Sequence, residues 1–167
     1  RQEVRVTSSR KKLTVFFSDI EGFTETAEQM ESEELTILLN NYLTEMSNIA
    51  LEHGATIDKY IGDAILIFFG DPETRGVKQD AIRCVEMAIA MSKRMTELRA
   101  EWASAGILNP LRIRMGIHTD YCTVGNFGSE SRMDYTIIGR GVNTAARLET
   151  AADPDKILMS FATHAQI

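Results

Sequence analysis

Residues 55–70 read ATIDKYIGDAILIFFG, two apolar, β-rich stretches separated by a Gly-Asp pair. Branched and aromatic side chains favour extended backbone, and a two-residue connection at Gly62-Asp63 permits a tight hairpin turn, so this segment predicts two antiparallel strands. A hairpin is marginal alone and has to find further strands and a covering layer. It also poses a question: what does a carboxylate, Asp63, do at the tip of so hydrophobic a ribbon?

The neighbours supply the missing layers. LTVFF, residues 13–17, reads as a short buried first strand that ends at Asp19. From Ser32 onward Leu35, Leu38, Leu39, Tyr42, Leu43, Met46, Ile49 and Ala50 recur at helical spacing, with acids in the first turn and Gly54 at the end. A second long helix is predicted from near Asp80 to Gly106, with Ile82, Val85, Ala88, Ile89, Met95, Leu98 and Trp102 as its apolar set. LRIRMGIHTDYCTVGNF then predicts a second hairpin turning near Thr119-Asp120, followed by MDYTIIG as an extended stretch, GVNTAARLETAA as a short helix and KILMS as a last strand. The order β-α-β-β-α-β with added C-terminal elements fits an α+β, ferredoxin-like core, a mainly antiparallel sheet with its helices on one face. In that topology the first and second strands run parallel through a right-handed crossover, and the third returns antiparallel beside the first. The Gly62-Asp63 turn then lies where the first strand ends, which brings Asp19 and Asp63 to one end of the sheet.

Composition bounds the partners. A chain of 167 residues, 44% apolar and 25% charged, is large enough for one domain with a real core. Its net charge of -6 and the lack of a basic stripe argue against nucleic acid as a partner. Cys84 and Cys122 are too few for a disulfide framework and lack metal-ligand spacing, so both read as small apolar residues in a reducing, cytoplasmic setting. The longest apolar run, Ala64 to Phe69, is too short to cross a bilayer. Residues 1–12 read as a linker from an upstream region, and a chain that starts without Met suggests a piece of something longer, with an upstream sensor or membrane domain outside it.

Two carboxylates at neighbouring loop ends can share hard cations such as Mg²⁺ or Mn²⁺, which prefer oxygen ligands and keep positions open for substrate phosphates. Taken singly, Asp19 could cap a helix and Asp63 could serve a turn; their convergence favours the metal reading. Next to Asp19, IEGFT places a Gly-containing turn at a helix start, where unpaired backbone N–H groups can meet a polyphosphate. Asn143 and Arg147 stand four residues apart and share one helical face, either as working groups or as an ordinary exposed polar face.

FFSDIEGFT, DKYIGDAILIFFG, RMGIHT and MDYTIIGRGVNTAARLE occur together and in order, and in that combination the chain resembles the class III nucleotidyl cyclase catalytic domain from about Leu13 to Ile167. The resemblance implies conversion of a nucleoside triphosphate to its 3′,5′-cyclic monophosphate and pyrophosphate on a homodimer with shared sites. Asp19 and Asp63 would hold two divalent metal ions, and the backbone of Ile20, Glu21, Gly22, Phe23 and Thr24 would cradle phosphates. Asn143 from the other subunit would orient the ribose, and Arg147 would neutralise charge on the α-phosphoryl group. The family reads its base at positions resembling Lys59 and Thr136, where adenylyl members pair Lys with Asp or Thr and guanylyl members carry Glu and Cys. This pairing favours ATP, and the Thr resembles the subgroup related to bicarbonate-responsive soluble cyclases, which implies bicarbonate sensitivity. A threonine hydroxyl can donate as well as accept, so some use of GTP is expected. The alternatives are a guanylyl cyclase and a degenerate regulatory or dimerisation domain of the same fold; a diguanylate-cyclase-like enzyme is disfavoured by the lack of a GGDEF signature. Two departures stand out: Asp120 replaces a usual Gly, expected in the turn of the later hairpin, and the C-terminal strand pair that carries the family's phosphate-binding Lys would lie beyond Ile167.

Overall fold

The computed structural model describes residues 8–107 and 111–167. Its elements are β1 (Ser8–Ile20), α1 (Phe23–Gln29), α2 (Ser32–Glu52), β2 (Thr56–Ile61), β3 (Ala64–Phe69), α3 (Val77–Ser104), β4 (Ile113–Ser129), β5 (Arg132–Ile138), α4 (Arg140–Ala151), β6 (Ile157–Met159) and α5 (Phe161–His164). The strands form one sheet in the order β2-β3-β1-β4-β5, with β6 added parallel to β4. All other pairings are antiparallel. This is the α+β architecture the sequence predicts, with β1 beside β3 and β2 outside β3.

Strand periodicity divides the apolar residues between two cores. Phe16, Ile20, Ile65, Ile67, Phe69, Ile113, Met115 and Ile117 face α2 and α3 in the larger one. Leu13, Val15, Leu66, Phe68, Cys122, Val124 and Ile137 face the other way and meet Ala145 of α4 in the second. The two long helices therefore share one face, and the added helix α4 covers the other. Each large apolar side chain fully withdrawn from water contributes about 1.5–3 kcal/mol. Trp102, at the end of α3, also satisfies its ring N–H on Asn41 Oδ1 at 2.9 Å.

Three local expectations need correction. β4 runs unbroken through Thr119 and Asp120, which pair with Thr14 and Leu13 of β1, so there is no turn there and the later hairpin turns after Ser129. Thr-Asp mimics a turn in sequence, but here each residue is satisfied sideways. Thr119 Oγ1 lies 2.9 Å from Thr14 Oγ1 and 3.0 Å from Thr163 Oγ1, while Asp120 accepts from the Tyr121 N–H at 2.7 Å. β1 is also longer than predicted, because residues 8–12, read as linker, pair with Tyr121–Gly125 of β4; residues 1–7 lie outside the described residues. The buried stripe of α3 is Ala81, Cys84, Met87, Ala88, Met91, Met95, Leu98 and Trp102, and Ile89 is exposed. Small and flexible side chains let α3 approach the sheet closely, so Ile82 and Val85 fall to its flanks. Among the described residues no helix is long and apolar enough to cross a membrane.

Candidate functional site

The β1–β3 register, with Ser18 opposite Ile65, sets the Gly62-Asp63 tip against the end of β1. Gly62 has φ 62°, the left-handed geometry that a Gly-first two-residue turn requires. Asp63 Oδ2 then accepts the backbone N–H of Ile20 at 2.8 Å, the residue directly after Asp19. The carboxylate at the hairpin tip therefore closes the β1 terminus and stands beside a second carboxylate.

Asp19 is held by a group the sequence reading passed over. Arg114 sits directly opposite it in the β1–β4 register, and its Nε and Nη2 donate to Asp19 Oδ1 and Oδ2 at 3.0 and 2.8 Å. This two-pronged geometry is what a planar guanidinium gives and a lysine does not. Nη1 of the same side chain donates to the Thr150 carbonyl of α4 at 3.2 Å. Behind the pair Glu149 of α4 is 6% exposed, with Oε1 3.6 Å from Arg114 Nε. Burial first, then its hydrogen bond to Asp19 and that carboxylate's charge, push Glu149 up to about 8, so it stays protonated at neutral pH. Asp63 is raised above the ordinary carboxylate range by burial, with the charge of Asp19 adding to it. The hydrogen bond to Asp19 holds Arg114 above its ordinary value. α4 can lie this close because the facing strand position is Gly116: a Cβ there would come within 2.3 Å of the Glu149 nitrogen and 2.5 Å of the Ala145 carbonyl.

The donor set fits a hard divalent cation. A partly buried carboxylate, Asp63, whose proton affinity is raised by burial and by the neighbouring charge of Asp19, is what such an ion relieves, and each carboxylate oxygen keeps a lone pair free for it. Among the described residues no cluster of three or more His, Cys, Asp or Glu side chains is arranged to hold a metal, so the remaining coordination positions would fall to water or to a ligand's own oxygens.

The other sequence-predicted residues occupy separate places. Thr136 of β5 is 6% exposed and its Oγ1 donates to Asp58, while Lys59, half-exposed, has its Nζ 3.6 Å from Asp58 Oδ1. These two thus meet through a third residue. Asn143 and Arg147 are both exposed on one face of α4, and Arg147 lines an open recess of about 340 Å³ with Ala146, Thr150 and Ala151. Of the phosphate-loop candidates, Ile20 N–H is taken by Asp63 and Glu21 N–H by the Arg112 carbonyl at 2.8 Å. Gly22 precedes α1 in the left-handed region and Phe23 and Thr24 form its first turn, so theirs are the donors that helix geometry leaves free. Arg114 and Asp58 were missed because only strand register joins them to their partners, and Glu149 because only the seating of α4 over Gly116 does. Arg114 was within reach of the sequence, since RIRMG alternates on a strand expected beside β1.

Comparison with known proteins places these features. Residues 6–167 match the family described as adenylate and guanylate cyclase catalytic domain. An adenylate cyclase of Anabaena cylindrica is 38% identical over 142 residues, 85% of this chain and 28% of that protein. Adenylate cyclase 1 of Rhizobium meliloti is 34% identical over 84% of this chain and 21% of its own length. The chain therefore spans about a quarter of the length of these relatives. Among solved structures, the adenylyl cyclase CyaB of P. aeruginosa superimposes with a TM-score of 0.95 at 60% identity, covering 97% of this chain and 83% of that one. The guanylyl cyclase Cya2 gives 0.90 at 35% identity, covering 95% and 79%.

Proposed function

The chain belongs to the adenylate and guanylate cyclase catalytic domain family, and from that premise we propose that it is an adenylyl cyclase converting ATP to 3′,5′-cyclic AMP and pyrophosphate on a homodimer with shared sites. The observation that carries this reading is the meeting of Asp19 and Asp63 at one rim of the sheet, bridged by the Asp63 to Ile20 hydrogen bond. The catalytic domain is assigned to residues 13–167, with β1 extending it to Ser8.

In the reaction the ribose 3′-oxygen forms a bond to the α-phosphorus in line with the departing pyrophosphate, and the 3′-hydroxyl proton leaves to solvent. Asp19 and Asp63 would hold two ions, Mg²⁺ or Mn²⁺, which supply acidification of the 3′-hydroxyl and charge neutralisation on the triphosphate. Arg114 fixes the orientation of Asp19 through both of its oxygens. The free first-turn donors of α1, at Gly22, Phe23 and Thr24, receive phosphate oxygens. From the second subunit Asn143 orients the ribose and Arg147 offsets charge growing at the α-phosphoryl group, a role its exposure on α4 leaves open to an incoming partner. Lys59 donates to adenine N1 and Thr136 meets the exocyclic amine.

A guanylyl cyclase is the second reading, because the Cya2 guanylyl cyclase shares this fold at a TM-score of 0.90. The fold alone accommodates either base, so the choice falls to Lys59 and Thr136. The test is to supply the purified domain with ATP or GTP and Mg²⁺ or Mn²⁺ and to measure cyclic nucleotide. Cyclic AMP as the main product supports the proposal. Cyclic GMP as the main product, or no product under any of these conditions, refutes it.

A further inference from the structure

β2 and β5 are the two ends of the strand path β2-β3-β1-β4-β5, yet one side chain joins them. The β2–β3 register shifts between Ile57 and Lys59, which leaves Asp58 as the extra residue of a bulge. Bulges re-aim a side chain, and this one sends the Asp58 carboxylate, its side chain 1% exposed, across to β5. Its Oδ1 and Oδ2 lie 2.9 and 2.7 Å from Thr136 Oγ1, and Oδ2 also accepts the Ile137 N–H at 3.2 Å. The Lys59 ammonium lies 3.6 Å from Oδ1. A single carboxylate thus touches both residues assigned to base selection.

The direction of these bonds has a consequence for chemistry. A backbone N–H can only donate, so Oδ2 is an acceptor, and the Thr136 hydroxyl 2.7 Å away has to donate to it. A hydroxyl has one proton. Once it is committed to Asp58, Thr136 has only lone pairs to offer an incoming base. Adenine presents an exocyclic amine, a donor, whereas guanine presents the O6 carbonyl, an acceptor. We propose that Asp58 is a positioning residue for substrate specificity: by taking the Thr136 proton it makes an ambiguous hydroxyl into an acceptor that reads adenine and turns guanine away. This rests on the reading of Lys59 and Thr136 as base selectors. Thr136 is 6% exposed, so a base meeting it does so out of water, where two acceptors facing one another cost most.

Asp58 also clasps the two sheet edges, so its test needs a readout that a clasp alone does not move. That readout is the ratio of cyclic AMP to cyclic GMP formed in one reaction containing equal ATP and GTP, because the folded fraction cancels from it. In Asp58→Ala both carboxylate oxygens are gone, so no acceptor is left on β2 for the Thr136 hydroxyl. The threonine proton is then free to meet O6. The ratio falls about tenfold, the worth of roughly one hydrogen bond gained or lost in a buried site. In a Thr136→Val background, Asp58→Ala leaves the ratio unchanged, since the effect runs through the hydroxyl.

A ratio unmoved by Asp58→Ala but moved by Thr136→Val overturns this proposal and leaves the base-selector reading standing. A fall of equal size in the Thr136→Val background overturns it too, because Asp58 then acts by another route. A ratio unmoved by Thr136→Val alone refutes the selector reading and this proposal with it. If a variant makes too little product to count, displacement of a fluorescent ATP analogue by ATP and by GTP supplies the same ratio.

Discussion

Gly116→Ala tests how α4 is seated, and the structure sets the size of the effect. The added methyl would lie 2.3 Å from the Glu149 nitrogen, 2.5 Å from the Ala145 carbonyl oxygen and 2.8 Å from Glu149 Cα, all backbone atoms of α4 that cannot rotate away. Ordinary contact begins near 3.4 Å, so the helix has to retreat by about 1 Å from the sheet, the scale at which overpacked cores lose packing. The retreat loosens Ala145 and Val142 from the second core and pulls Glu149 away from Arg114 and Asp19. Overpacking of this kind costs about 1–3 kcal/mol. With a urea slope of about 2 kcal/mol/M, the unfolding midpoint falls by roughly 0.5–1.5 M. Asn143 and Arg147 ride on the same helix, and a misplacement of about 1 Å in catalytic groups costs on the order of a hundredfold in rate. Urea unfolding and cyclic AMP formation on one preparation check both numbers. A variant with unchanged midpoint and unchanged turnover would refute the close seating of α4 on β4.

Two further outcomes follow from the charges at the rim. The folded chain keeps a proton on Glu149, raised to about 8, that the unfolded chain releases near 4.5, so wild-type stability falls as pH rises across that window and levels off above it. Glu149→Gln, which keeps an N–H donor toward Asp19, removes this slope in metal-free buffer. It is the more stable form by about 1–3 kcal/mol at pH 8 and indistinguishable near pH 4.5, and a pH-independent difference in urea unfolding would count against a protonated Glu149. Asp63→Asn keeps an acceptor for the Ile20 N–H while dropping one of two neighbouring charges. Its melting temperature without metal therefore equals or exceeds that of the wild type, while the upward shift given by Mn²⁺ is lost; a retained shift would show that the ion binds elsewhere.

Much of this molecule was legible before its coordinates were known. Periodicity gave the two long helices and the strands on either side of Gly62-Asp63, and β-α-β-β-α-β connectivity alone carried Asp63 to the end of β1. What periodicity could not supply was register. Asp19 and Arg114 are directly opposed across β1 and β4, and Asp58 reaches Thr136 only because a bulge re-aims it across to the far edge strand. The false turn at Thr119-Asp120 has the same origin, since polar residues within a strand mimic a break until their hydrogen-bond partners are known. The misplacement of Ile89 on α3 arose from ranking residues by hydrophobicity, where close approach to the sheet rewards Ala, Cys and Met instead.

The most direct test of the central claim, one site completed by two subunits around Asp19 and Asp63, mixes Asp63→Ala with Arg147→Ala. Each variant alone forms no cyclic AMP. Random exchange gives mixed dimers in about half of the population, each with one intact site of two, so activity returns to about a quarter of wild type. No recovery on mixing dimers shown to have exchanged, or full activity in either variant alone, would contradict the account.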